Sequence, residues 1–226
     1  MGMLRRRLAL PVALALVFVS ACDGASTGST STTEEVDPEA RARAVNLTLT
    51  DLPAEFVAVP DDGADDDNIV QDCVGDIADD VVAEAETPLF RRPSGEGLQF
   101  LATSTAVLRD EAAATALVAA LQREATVDCL RDTFAGTLIE ESARGGLQDS
   151  TLRDATGIPD FAEQSAALAG SLRFTPPGTE QAVELNYTLV LVRTDAVVSF
   201  LLYGGLLDTF PPQLLEQLTA VVAERQ

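Results

Sequence analysis

Apolar positions along this chain follow two rhythms, and each predicts a different element. Between 68 and 84 (NIVQDCVGDIADDVVAE) apolar pairs recur at Ile69/Val70, Cys73/Val74, Ile77/Ala78 and Val81/Val82. Gln71, Asp72, Asp76, Asp79 and Asp80 fall between them. A four-residue spacing makes one stripe on a helix, so a helix is predicted over 68–84, with Asp67 or Asn68 as its N-cap. Gly97–Leu108 (GLQFLATSTAVL) is rich in β-branched residues and partly alternates, which predicts a strand. Asp110 then caps a second helix, DEAAATALVAALQREA, with Ala113, Ala116, Leu117, Ala120 and Leu121 turned inward. That much Ala implies close packing on a sheet. A further helical stretch carries Cys129, Leu130 and Phe134.

From Phe161 to Phe174 the rhythm returns to two, through Gln164, Ala166, Leu168, Gly170, Leu172 and Phe174, and Pro176-Pro177-Gly178 ends it as a turn. Val183–Val192 and Ala196–Tyr203 are long, apolar and joined at Arg193-Thr194-Asp195, which predicts a hairpin in the middle of a sheet. Thr209 precedes a last helix that has Pro211 and Pro212 at its start and Leu214, Leu215, Leu218, Val221 and Val222 along one face. Strand followed by helix occurs twice, at 98–108 with 110–124 and at 196–203 with 213–224. The expected fold class is therefore α+β, an antiparallel β-sheet with helices packed mainly on one face.

The first 44 residues have neither rhythm. Residues 1–21 divide into MGMLRRR, LALPVALALVFV and SA, the positive, apolar and small-residue parts of a secretory signal. The apolar run of 12 residues (Leu8 to Val19) is short of the roughly 20 that a spanning helix needs. Val19-Ser20-Ala21-Cys22 resembles a bacterial lipobox. That resemblance implies a diacylglycerol on the Cys22 sulfur and cleavage just before it, whereas an ordinary secreted protein would carry Cys22 incidentally. Two acyl chains, at about 0.8 kcal/mol per buried CH₂, suffice for a stable anchor. Residues 22–44 are then the lipidated Cys and a Ser/Thr-rich flexible tether (DGASTGSTSTTEEVDPEA from Asp23 to Ala40), and 45–226 a single domain.

Assigning Cys22 to lipid changes the cysteine count. Of three Cys, only Cys73 and Cys129 remain, and outside the cytoplasm two thiols pair in one way. The alternative, a metal site, would need other ligands, and the chain contains no His. No metal and no cofactor is expected.

Charge narrows the partners. The chain has 36 acidic and 15 basic residues, every basic one Arg, and three of those Arg lie in the leader. Such a surface repels phosphate backbones, so nucleic acid is excluded as a partner. It repels anionic lipid headgroups too, which leaves the acyl chains on Cys22 as the route to the membrane.

The chemistry available is thin. Without His there is no Ser-His-Asp or Cys-His constellation and no HExxH site, and without Lys no Ser-Lys dyad. A carboxylate-dependent hydrolase needs only two acids, but nothing singles out a pair. The run Asp61-Asp62-Gly63-Ala64-Asp65-Asp66-Asp67-Asn68 misses the EF-hand spacing and reads as a solvated acidic loop. Asn46-Leu47-Thr48 and Asn186-Tyr187-Thr188 match the glycosylation sequon and read as chance matches. Phe100, Leu172, Phe174, Tyr187, Phe200 and Tyr203 are the candidates to line an apolar cavity between sheet and helices, or else they are plain core. An enclosed pocket of several hundred Å³ would mean a carrier of an apolar, lipid-like molecule. An exposed apolar patch rimmed by charge would mean an interaction surface.

Three blocks add a family resemblance: "LRDEAAATALVAAL…VDC" leading into Cys129, "IPDFAEQSAAL", and "LVRTDAVVSFLLYG…LLEQLTAVVAERQ". Over residues 45–226 they resemble the PknH-like extracellular sensor domains and related envelope lipoproteins of actinobacteria. The PsbP/Mog1-like lipoproteins fit the same order of elements. The chain departs from the first type in having Val127 where a Trp or other bulky aromatic precedes Cys129, and two Cys where four are common. The resemblance implies a non-catalytic sensor, ligand-binding or accessory role in the cell envelope, with an unknown envelope protein or apolar ligand as partner. It carries over no catalytic residues.

Overall fold

Long apolar runs such as VELNYTLVLVRT and VVSFLLYGGL leave no face of a strand suited to water, so the sheet they build needs cover on both sides. The computed structural model describes residues 37–59, 69–141, 146–176 and 178–226. Its first half runs α1 (Pro38–Val45), β1 (Val57–Ala58), α2 (Ile69–Val74), β2 (Val81–Glu86), β3 (Phe90–Ser94), β4 (Gly97–Leu108) and α3 (Glu111–Leu121). The second half runs α4 (Glu124–Glu141), β5 (Gly146–Asp154), β6 (Gln164–Thr175), β7 (Val183–Thr194), β8 (Val197–Leu206) and α5 (Pro212–Arg225). All strands join one antiparallel sheet of order β1-β3-β4-β8-β7-β6-β5, with β2 paired to the far half of β4. The β7–β8 hairpin lies in its middle, as the sequence predicts. Its two-residue turn puts Asp195 at φ 52°, a left-handed conformation that Asp tolerates.

Period-two alternation assigns each side chain to a face. On one face Leu101, Val190, Val192, Val197, Leu201 and Tyr203 are buried beneath Ala42 and Val45 of α1 and Leu215, Leu218 and Val222 of α5. On the other, Ala106, Leu168, Leu189, Leu191 and Val198 lie beneath Ala113, Ala114, Leu117, Val118 and Leu121 of α3 and Leu130 of α4. The fold is therefore α+β with an antiparallel sheet, as expected. α2, α3 and α4 share one face, and α5, joined by α1, covers the other.

Local signals hold where they rest on a side chain. Asp110 Oδ1 accepts the Ala113 amide at 2.8 Å and caps α3. Of the Ala predicted to point inward, Ala113 and Ala120 do so, whereas Ala116 is exposed and Ala114 is buried instead.

Two boundaries are corrected. The segment 68–84 is not one helix: α2 ends at Val74, a 3-10 turn covers Gly75–Asp80, and Val81 begins β2. Gly75 at φ +65° stops the helix, and the β-branched pair Val81-Val82 then joins β4. The folded unit also starts before residue 45. Asp37 Oδ1 accepts the Glu39 amide, Pro38 opens α1, and Ala42 and Val45 enter the core. Part of the predicted tether is thus a helix. Val36–Gln226 form one compact unit.

Cys73 on α2 and Cys129 on α4 are joined by a disulfide, with Cα atoms 5.7 Å apart. Residues 1–21, Cys22 and the acidic run 61–68 lie outside the described residues.

Candidate functional site

Five neighbouring strands build a stepped apolar surface on the α2–α4 face. Phe100 of β4 stands opposite Gly204 of β8, which stands opposite Tyr187 of β7, then Gly170 of β6, then Leu152 of β5. Large and small residues alternate across the row for a steric reason. A Cβ on Gly204 would run into the Phe100 ring, and one on Gly170 would meet the Tyr187 ring and the Thr151 carbonyl. Each ring thus lies across a glycine and shields its bare backbone. The next row along is Leu98, Leu206, Leu185 and Leu172.

α4 sits above this floor. The Phe134 ring is 5.7 Å from Tyr187, and Ala135 is buried in the cluster of Leu172, Leu185 and Tyr187. Phe100, Phe174, Leu202 and Leu206 pack against the same cluster and stay half-buried. Exposed Arg91 is the cross-strand neighbour of Phe100, and the Arg131 charge acts on Tyr187. These half-buried side chains are the part of the floor that α4 leaves open to solvent.

The structure brings Phe100, Leu172, Phe174, Tyr187 and Phe200 to this face. Tyr203 is a correction. It lies three positions after Phe200 on one strand, an odd step, so it points to the opposite face. There its ring is 5.0 Å from Phe210 and its hydroxyl is 3.0 Å from Thr219 Oγ1. Phe56 follows 6.3 Å from Phe210, and the Arg92 guanidinium sits 4.8 Å over the Phe56 ring. This is filled core. The parity of 200 and 203 was the signal that would have separated them. Gly204, Leu202 and Leu206 are not picked out by the sequence reading, and the Gly-Gly pair inside an apolar strand was their signal; Gly170 enters that reading only as a step in the strand rhythm.

The titratable groups nearby suit binding better than proton transfer. Burial pushes the Tyr187 phenol up to about 12, partly offset by Arg131, and its hydroxyl donates to the Thr151 carbonyl at 3.3 Å. Burial raises Tyr203 as well, so both phenols are neutral at pH 7.

The other dense polar cluster lies at the β8–α5 turn. Ser94 donates to Asp208, and Gln99 Nε2 reaches Asp208 Oδ2 at 3.2 Å and the Thr209 carbonyl at 3.1 Å. The Ser94 hydroxyl and the Thr209 amide hold the Asp208 carboxyl below the usual range. A carboxylate stabilised in this way is a weak base and does not activate Ser94. The cluster instead clamps the turn in which Leu207 takes φ 61°.

The sequon residue Asn46 is buried, with Nδ2 donating to the Ala85 carbonyl and Oδ1 accepting from Thr105, so it is closed to modification in the folded state. Among the described residues no group of three or more Cys, Asp or Glu is placed to hold a metal ion. Among the same residues no helix is long and apolar enough to cross a membrane.

No family model matches the chain, and no curated protein matches it either. Among solved structures it is similar to the extracellular domain of PknH from Mycobacterium tuberculosis, at 9% identity and a TM-score of 0.42, covering 83% of this chain and 95% of that one. At this level of likeness the function rests on the chain's own residues.

Proposed function

We propose that this chain is a membrane-anchored, extracytoplasmic lipoprotein whose α+β domain binds an apolar segment of an envelope partner, without catalysis. The observation supporting binding is the stepped surface on β4, β8, β7 and β6, where Phe100, Phe174, Leu202 and Leu206 stay half-buried, with Arg91 beside Phe100 and the Arg131 charge acting on Tyr187. Anchoring is supported by the order of charged, apolar and small residues up to Cys22. The acidic composition directs attachment to acyl chains and away from basic contacts with headgroups. A structural disulfide suits the same oxidising compartment.

The anchor is tested by metabolic labelling with palmitate in a bacterium that processes lipoproteins. The full chain takes label, and Cys22→Ser takes none and is released or left uncleaved while still folding. Loss of folding in that variant overturns the assignment. The surface is tested by titrating the full chain with 1-anilinonaphthalene-8-sulfonate. Leu202→Glu and Phe100→Asp should abolish the fluorescence gain, and an unchanged gain excludes this surface. Lipid co-purifying in native mass spectra would favour the rival reading, a carrier with a closed cavity.

A further inference from the structure

The two ends of the sheet are finished differently. At one end β3 carries Pro93 and is partly covered by β1, and β2 is interrupted by a register shift between Val81 and Ala83. These are recognised ways of blunting an edge. At the other end β5 pairs only with β6 among the described residues and contains no Pro; α4 lies against it, and it too has a register shift, between Leu147 and Asp149, beyond which it is regular to Asp154. Most of its side chains are exposed.

The outward groups follow from the ladder. The Ala155 amide donates to the Ala167 carbonyl at 2.8 Å, and the Thr151 carbonyl faces Gly170. Residues 149, 151, 153 and 155 therefore spend their backbone groups on β6. In an antiparallel ladder the alternate residues, Ser150, Leu152 and Asp154, turn their N–H and C=O groups away from the sheet.

We propose that this edge is a homotypic interface, in which β5 of a second copy pairs antiparallel across a two-fold axis through Thr151. A two-fold axis through any residue of the regular stretch sets outward groups against outward groups. Only the axis at Thr151 sets Asp149 of each copy opposite Arg153 of the other, on the exposed face that also carries Thr151. Asp149 is already the cross-strand neighbour of Arg173 on β6. Pairing therefore makes a row of alternating charge: Arg173, Asp149 and the second copy's Arg153. Neither Asp149 nor Arg153 has an ion pair among the described residues, so both are available. Self-complementarity about one axis is what a two-fold interface requires. On the axis Thr151 meets its own copy as a non-hydrogen-bonded pair, with Cα atoms about 4.5 Å apart.

That distance gives a test specific to the register, since a disulfide spans Cα separations of about 4.4–6.8 Å. Thr151→Cys in the full chain should give a covalent dimer on mild oxidation, read on non-reducing gels. Arg153→Cys should give none, because four residues at about 3.4 Å each separate that position from its own copy. Adding Arg153→Asp to Thr151→Cys sets carboxylates opposite one another and should reduce the dimer at least tenfold. Adding Asp149→Arg as well should restore it. The proposal fails if Thr151→Cys stays monomeric or if Arg153→Cys crosslinks equally well. It also fails if charge reversal changes nothing, or if Thr151→Cys captures a different protein in place of a second copy.

Discussion

Replacing Gly204 by Ala tests the geometry of the stepped surface at its tightest point. The new Cβ would overlap the far edge of the Phe100 ring, so the ring must leave the shelf that the glycine provides. Overpacking of this kind costs about 1–3 kcal/mol. Removing a glycine from a strand returns roughly 0.5–1 kcal/mol of backbone entropy, so the net loss should be about 1–2 kcal/mol. For a folded unit of this size that corresponds to a fall in Tm of roughly 2–8 °C. The decisive quantity is the coupling. With Phe100→Ala the obstacle is gone, and Gly204→Ala becomes neutral or stabilises by up to about 1 kcal/mol. Urea unfolding followed by circular dichroism on the four proteins of the cycle gives each term. Losses that add to within about 0.5 kcal/mol would refute the claim that the ring rests on the glycine. Gly170→Ala is the contrasting case. Its Cβ would also meet the Thr151 carbonyl, so Tyr187→Ala should not rescue it.

Tyr203→Phe leaves the buried Thr219 hydroxyl without its 3.0 Å partner and should cost about 1–2 kcal/mol, while Tyr203→Phe with Thr219→Val should recover most of it; equal stability of single and double variants would contradict this. Reducing the Cys73–Cys129 disulfide opens a loop with a sequence separation of 56 and should cost about 4 kcal/mol, seen as a lower Tm in calorimetry with a phosphine reductant; an unchanged Tm would show that the link constrains little. Burial pushes the Asp51 carboxyl up, but the two Arg225 contacts at 2.6 and 3.1 Å and the bonds from Thr48 outweigh it and leave the group below its ordinary range. Its contribution is therefore present above about pH 4 and is lost as pH falls through the depressed value. Asp51→Asn should cost about 1 kcal/mol at pH 7 and much less near pH 2, and equal losses at both would refute the pairing.

The sequence by itself determined the elements whose signal is local. β4 and α3 were legible because a run of β-branched residues is followed directly by an Asp cap. The β7–β8 hairpin was legible because two long apolar runs flank a short polar turn, and the disulfide because the lipobox reading of Cys22 leaves two thiols to pair. What depends on a partner strand or helix was not legible. The four-residue stripe over 68–84 fits a helix as well as a broken segment, and only the free edge of β4 decides that Val81–Glu86 joins the sheet. α1 shows the core little more than Ala42 and Val45, too weak a pattern to stand out from the Ser/Thr-rich stretch before it. β5 (GLQDSTLRD) is polar because it is an edge, and it becomes a strand only by completing the ladder of β6.

The candidate surface divides in the same way. Sequence named the aromatic residues, and alternation alone would have sent Tyr203 to the opposite face. Cross-strand register brings Phe100, Gly204, Tyr187 and Gly170 into one row, and register belongs to the paired sheet, not to any single strand. Hydrophobic rhythm specifies which side of a strand is buried; which residues then meet across strands is fixed only when the backbones pair.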